Sequence, residues 1–116
     1  PENIKEENWI VYTGTHDNST SLGWWREMDQ ARKEQIRERI VDYENFTSWE
    51  LIRIGMETKA KLFVAPMQDL LNLDDSCRLN KPGTTENNWS WRLPRNDLNI
   101  RDSLKKYGDL AKANKR

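Results

Sequence analysis

Apolar positions fall in short, unequal runs along this chain, with charged stretches between them. The first run is Trp9-Ile10-Val11-Tyr12. β-branched and aromatic residues running into Thr13-Gly14-Thr15 predict a buried strand that opens into a loop. From Asp29 to Tyr43 the chain is highly charged, yet Ile36 and Ile40 recur on one face at helical spacing, which predicts a helix. Thr47-Ser48-Trp49-Glu50 reads as a capping box, with the Thr47 hydroxyl accepting the Glu50 amide and Glu50 reaching back. The helix it opens places Trp49, Ile52, Met56 and Ala60 along one stripe. Its end is expected near Lys59 and Lys61, cations that suit a helix C-terminus. Leu62-Phe63-Val64-Ala65 is continuously apolar, the signature of a strand buried on both faces of a parallel sheet. Pro66 stops it, and Gln68 and Asp69 open a short helical turn through Leu70 and Leu71. Residues 72–95 are rich in Asn, Pro, Gly and Thr and predict a long loop; loops of that length inside a domain are usually functional. Ile100, Leu104, Tyr107 and Ala111 mark an amphipathic helix with a basic end, whose last residues are expected to fray.

The order strand, helices, strand, loop, helix argues for an α/β fold built of parallel β/α units. Two strands alone make a poor sheet. The chain's 116 residues fall short of the roughly 250 that a complete eight-fold barrel needs. The expectation is therefore a slice of a larger α/β barrel.

Composition sharpens this picture. Apolar residues make up 35% of the chain and mean hydropathy is −1.01, yet there are six Trp. A poor core with many indoles implies that some rings face something else, either neighbouring segments or a ligand. Lys plus Arg balances Asp plus Glu at 19 each, so charge points to neither nucleic acid nor an acidic membrane as partner. No apolar run approaches the ~18 residues that suggest a membrane span. No signal-peptide pattern is visible. The lone Cys77 cannot form an internal disulfide and fits a reducing, cytoplasmic setting. The Asn-x-Ser/Thr triplets at Asn18, Asn45 and Asn88 are then chance occurrences.

Two clusters could carry chemistry. Thr13 to Asn18 lies just past the predicted end of a strand, where β/α barrels gather catalytic groups. It holds the only histidine, His16, beside Asp17. The competing reading is a satisfied histidine and an aspartate that caps the next turn. One histidine without further ligands falls short of a metal site, and no cofactor is implied. The second cluster is Arg78 to Thr84 followed by Asn88-Trp89-Ser90-Trp91-Arg92. Indoles stack on apolar sugar faces and amides bond sugar hydroxyls; the competing reading is a loop anchored by its Trp. Trp89 and Trp91 alternate, so in an extended segment they point to opposite sides and at least one is structural. An aromatic and basic surface for single-stranded nucleic acid is weakened by the neutral charge. Trp24 and Trp25 are adjacent, so one packs while the other is free to line a cleft. Trp49 belongs to the core stripe. Cys77 has no base nearby and is not expected to be a nucleophile.

Three stretches together resemble the amylomaltase and disproportionating-enzyme family, glycoside hydrolase family 77. They are Val11 to Asn18 with Leu22-Gly23-Trp24-Trp25; Pro66-Met67-Gln68-Asp69-Leu70-Leu71; and Arg78 to Thr84 with Asn88 to Arg92. The resemblance covers essentially the whole chain, in order. It implies that residues 1–116 are a single fragment, the C-terminal portion of a (β/α)8 catalytic barrel, with the strand before Thr13 as the seventh and the strand ending at Pro66 as the eighth. It implies a 4-alpha-glucanotransferase of starch and glycogen metabolism that moves α-1,4-glucan segments between maltooligosaccharides with retention. Of the three carboxylates this chemistry uses, Asp17 matches the one that holds hydroxyls of the reacting sugar. His16, Asn18, Gln68, Asn80, Pro82 and Trp89 match substrate-binding positions. Nucleophile and acid/base would lie on earlier strands, so the chain alone is expected to be inactive and to need the rest of the barrel. The family usually has Asp where Ser19 stands, Gly where Asn72 and Asn87 stand, and Met where Leu79 stands. Asn is the milder replacement for Gly because it tolerates left-handed backbone, whereas Ser19 loses a charge beside the site. Two other classes remain: a free-standing α-glucan-binding module, which the Trp content favours, and a helical interaction domain without a ligand, supported only by the charged 29–43 segment.

Overall fold

The computed structural model describes residues 8–95 and 98–116. Strand β1 (Ile10–Tyr12) pairs in parallel with β2 (Leu62–Val64), in the register Ile10 to Leu62, Val11 to Phe63 and Tyr12 to Val64. Parallel neighbours require a crossover. Here it carries α1 (Ser21–Glu27), α2 (Gln30–Gln35), a 3-10 turn at Arg37–Arg39 and α3 (Trp49–Met56). After β2 come α4 (Met67–Leu70), a 3-10 turn at Asp75–Cys77 within the long 72–95 loop, and α5 (Leu98–Ala113).

Two apolar clusters meet across α3. On one side Ile52 and Met56 pack with Phe63 and Leu70, joined by Val11, Trp49, Tyr107 and Leu110. On the other, Leu51 and Ile54 pack against Leu22, Trp25, Ile40 and Phe46. Trp25 stacks on Phe46 at 4.3 Å between centroids and meets Tyr43 edge-on, geometries worth about 0.5–1.5 kcal/mol beyond area burial. Its neighbour Trp24 is exposed, which fulfils half of the expectation for that pair. Trp49 lies half-buried against the core, as its stripe predicts, with the Lys106 ammonium 4.3 Å from its ring. Gly55 is required where α3 crosses β2: a Cβ there would stand 2.2 Å from Cε2 of Phe63.

Several sequence expectations are corrected. The predicted 29–43 helix stops at Gln35, and Glu50 does not close a capping box. One interaction explains both. The Glu50 carboxylate, 8% exposed, accepts the amides of Val41 at 3.1 Å and Asp42 at 3.2 Å. A continuing helix would give those amides to its own carbonyls, and a capping box would keep Glu50 at its own helix start. The chain instead turns at Ile40, which enters the Trp25 cluster. The Ser48 hydroxyl, at the start of α3, makes no capping bond either and donates to the Asp69 carbonyl.

Helix α3 ends at Met56, short of Lys59 and Lys61. Besides Arg53 in its last turn, the cation at its end is Arg116, which donates to the carbonyls of Met56, Thr58 and Ala60 at 3.1, 2.7 and 2.7 Å. The last residue is therefore tied down rather than frayed. Nor are the strands buried on both faces. Val11 and Phe63 point at the helices, but Ile10, Tyr12 and Leu62 are half-exposed on the other face, because no described element lies over it.

Candidate functional site

The loop after β1 and the loop after β2 converge on one side of the sheet. Asp69 joins them beneath the surface. Only 2% exposed, its carboxylate accepts the Thr13 hydroxyl at 2.6 Å, the Ser21 amide at 2.9 Å and the Ser21 hydroxyl at 2.7 Å. Bonds to a buried carboxylate are worth about 1.5–3 kcal/mol each, so Asp69 staples the end of β1, the start of α1 and α4. Beside it the Asp75 carboxylate accepts the Thr20 amide at 2.9 Å. It sits so close to α1 that a Cβ on Gly23 would stand 2.3 Å away. Thr20, not Asp17, caps α1, accepting the Gly23 amide at 3.1 Å.

Above this staple the His16–Asp17 turn is open. Asn18 Oδ1 accepts both the amide and the hydroxyl of Thr15, at 2.7 and 2.9 Å, and so shapes the turn. Asp17 is left half-exposed with His16 Nε2 3.3 Å from Oδ2. The long loop supplies the opposite wall. Asn80 donates its side-chain amide to Asp17 Oδ1 at 2.6 Å and its backbone amide to the His16 carbonyl at 3.2 Å. The Trp89 indole lies 5.1 Å from the His16 ring, tilted by 40°. Thus His16, Asp17, Asn80 and Trp89, from segments far apart in sequence, form one exposed cluster with an anion, an imidazole, an amide and an aromatic face.

The remaining candidate residues sit apart from that cluster or below it. Gln68 is buried and spends its amide on the Cys77 carbonyl at 3.2 Å. With Thr15, His16 and Arg78 it lines a narrow cleft of about 40 Å³ under the turn. Pro82 is exposed at the outer end of the loop. That loop is held by Asn88, which accepts the Lys81 amide at 2.9 Å and donates to the Thr84 carbonyl at 3.1 Å. Nearby, the hydroxyl and amide of Ser76 hold the Asp74 carboxyl below its ordinary range. Among the described residues no group of three or more His, Cys, Asp or Glu could hold a metal ion, and no helix is long and apolar enough to cross a membrane.

Four non-glycine residues have left-handed φ among the described residues, Lys115 near the end of the chain and three in or beside the long loop. Asn72 and Asn87 have φ of 53° and 58°, left-handed values that explain why Asn can stand where a glycine would otherwise serve. Trp89 has φ of 60°. The segment is therefore not extended there, and simple alternation with Trp91 does not apply. A bulky residue in that region carries about 1–3 kcal/mol of strain and marks functional sites more often than ordinary loops. Sequence reading named Asp69 in the turn after Pro66 and Arg78 at the head of the second cluster, but gave neither side chain a role. Each had a signal: a lone carboxylate inside the apolar stretch from Leu62 to Leu71, and a lone cation between Cys77 and Leu79.

Residues 1–98 match the family described as 4-alpha-glucanotransferase. The chain is 39% identical over 104 residues to the 4-alpha-glucanotransferase of Synechocystis sp., covering 85% of this chain and 20% of that protein. It is 41% identical over 90 residues to the Thermus thermophilus enzyme, covering 72% and 18%. It is 37% identical over 115 residues to the chloroplastic/amyloplastic enzyme of Solanum tuberosum, covering 90% and 20%. In three dimensions it resembles amylomaltase from Streptococcus agalactiae in complex with acarbose, with a TM-score of 0.75 and 28% identity, over 92% of this chain and 22% of that one. The chain spans about a fifth of the length of the curated relatives it matches.

Proposed function

Because the chain belongs to the 4-alpha-glucanotransferase family, we propose that it forms the last two β/α units, strands seven and eight, of a barrel that transfers α-1,4-glucan segments between maltooligosaccharides. The observation that carries this reading is the convergence of Asp17, His16, Asn80 and Trp89 just past the C-terminal ends of two parallel strands. The half-exposed Ile10, Tyr12 and Leu62 are the face that the remaining strands would cover. Uncovered, these side chains and two strand edges favour self-association of the isolated chain.

Retaining transfer passes through an oxocarbenium-like transition state in which bonds to the 2-hydroxyl of the reacting sugar strengthen. A carboxylate held at that hydroxyl stabilises the transition state more than the ground state, which is the condition for faster chemistry. Asp17 takes that role. Asn80 holds its Oδ1; on binding, a sugar hydroxyl takes the place of His16 Nε2, which stands 3.3 Å from Oδ2, and His16 turns to donate to a neighbouring hydroxyl. Trp89 offers its face to a sugar ring and shields the site from water, which favours an acceptor sugar over hydrolysis. Asn18 and Gln68, whose polar atoms hold the turn and the Cys77 carbonyl, contribute mainly through the wall they build, and Pro82 through the shape of the outer loop. The nucleophile and acid/base belong to segments outside these residues. A reducing compartment such as the cytoplasm suits the single thiol of Cys77.

Maltotriose incubated with the pure chain tests the division of catalytic groups. No new oligosaccharide is expected, and any turnover would contradict it. The exposed Trp89 and Trp24 favour a second reading, a glucan-binding module without catalysis. Micromolar quenching of Trp fluorescence by maltoheptaose, in the isolated chain, would support that reading; a flat titration would leave transfer by the assembled barrel.

A further inference from the structure

We propose that Arg78 is the positioning residue of this site, the group that sets the spacing between the Asp17 carboxylate and the Asn80 amide. Its guanidinium reaches three acceptors in two loops. Nε donates to the Asn80 carbonyl at 2.8 Å, Nη2 to the Asp17 carbonyl at 2.8 Å, and Nη1 to the Ser19 hydroxyl at 3.3 Å. The side chain is half-buried and lines the cleft under the His16 turn. The described hydrogen bonds of its guanidinium all go to these two loops, so we take it to act on a ligand through the residues it holds.

The physical argument rests on the shape of the cation. A guanidinium is planar and presents five donors in a fixed fork, whereas an ammonium is a point charge on a flexible stem. Three acceptors gripped by one plane cannot move independently. Asp17 and Asn80 come from different loops, which also meet through Asn80 itself (side chain to Oδ1, amide to the His16 carbonyl), through the Trp89 ring on His16 and through Asp75 on the Thr20 amide. Among the described hydrogen bonds, Arg78 is the side chain that bonds the backbone carbonyls of both Asp17 and Asn80. Both Asn80 bonds presuppose that the two backbones are already in register, and Arg78 supplies that register by bonding the carbonyl of each. Misplacing a reacting group by about 1 Å can cost on the order of 10²-fold in rate, so a residue that fixes this spacing governs rate rather than affinity.

The inference rests on the glucan-transfer reading for its kinetic part and on geometry alone for its structural part, and the test separates them. In the unliganded full-length enzyme, with asparagine (and, for the core, isoleucine and phenylalanine) selectively labelled, the side-chain amide signals of Asn80 are followed by NMR. In Arg78→Met they are expected to move to the position of a free, fast-exchanging amide while signals from the Ile52 and Phe63 core stay in place. Arg78→Lys is expected to fall between the two and covers the case in which Arg78→Met does not fold. In the full-length enzyme, Arg78→Met is expected to lower kcat for maltotriose disproportionation roughly 10- to 100-fold with KM within about threefold, the pattern of a lost transition-state interaction. Arg78→Lys should recover part of the rate. An unmoved Asn80 amide in Arg78→Met, or an unchanged kcat alongside a displaced amide, would overturn the proposal. If Asp17→Asn leaves kcat unchanged, the glucan-transfer reading fails instead, while the Asn80 signals still decide whether Arg78 sets the spacing.

Discussion

Asp17 and Asp69 stand at the same distance past the ends of the two strands, Tyr12 in one case and Val64 in the other, yet they have opposite fates. Asp69 is 2% exposed, and three donors from Thr13 and Ser21 converge on its carboxylate. Asp17 has a side chain 50% exposed, accepts one side-chain amide and faces an imidazole. The sequence position is equivalent; the surroundings are not. A carboxylate whose inward capacity is consumed by fixed donors holds the fold, and one that keeps an oxygen open to solvent is available to a ligand. The comparison also shows dependence in one direction, since the staple at Asp69 anchors the start of the loop that presents Asp17.

The sharpest way to break this contrast is to remove the staple. Asp69→Ala strands the Thr13 and Ser21 donors in a buried setting and should cost about 3 kcal/mol or more of stability, by the usual worth of bonds to a charged group. Urea unfolding of the full-length enzyme checks it, and a loss under 1 kcal/mol would mean the staple is not structural. A smaller effect tests the packing beneath. Gly55→Ala pushes a methyl into the Phe63 ring and should destabilise by roughly 1–3 kcal/mol, measured by the same method. The left-handed asparagines give the finest distinction. Asn72 Oδ1 accepts the Ser48 amide at 2.8 Å, so Asn72→Gly should lose about 1 kcal/mol, the net worth of one hydrogen bond. For Asn87 the structure gives a backbone requirement (φ 58°), and Asn87→Gly should stay within about 0.5 kcal/mol, as surface substitutions do. Equal losses at the two positions would show that backbone strain, not the Ser48 bond, dominates at Asn72.

Much of this was legible in the sequence where local chemistry and tertiary packing agree. The two strands, their parallel pairing, the short turn after Pro66 and the long loop followed from apolar runs and turn residues. The juxtaposition of Asp17 with Asn80 and Trp89 was not visible in spacing, but their separate motifs were. Local reading failed where a distant group outcompeted a neighbour. Glu50 satisfies Val41 and Asp42 rather than its own helix start, and the end of α3 is served by Arg116 rather than by the adjacent lysines. In each case the better partner is fixed by packing and cannot be seen from nearby residues. Strand burial was overread because continuous apolarity reports the environment a strand is suited to, and among the described residues nothing covers the face that carries Ile10, Tyr12 and Leu62.

In our proposal Asp17 is the open, chemically active member of the pair. Disproportionation of maltotriose by the full-length enzyme, compared between wild type and Asp17→Asn, tests it most directly, because the substitution keeps the shape and removes the charge. A fall in kcat of roughly 10²-fold or more, the size expected for one electrostatic group acting on the transition state, is expected, with the melting temperature nearly unchanged. An unchanged rate would contradict it and make Asp17, like Asp69, part of the scaffold.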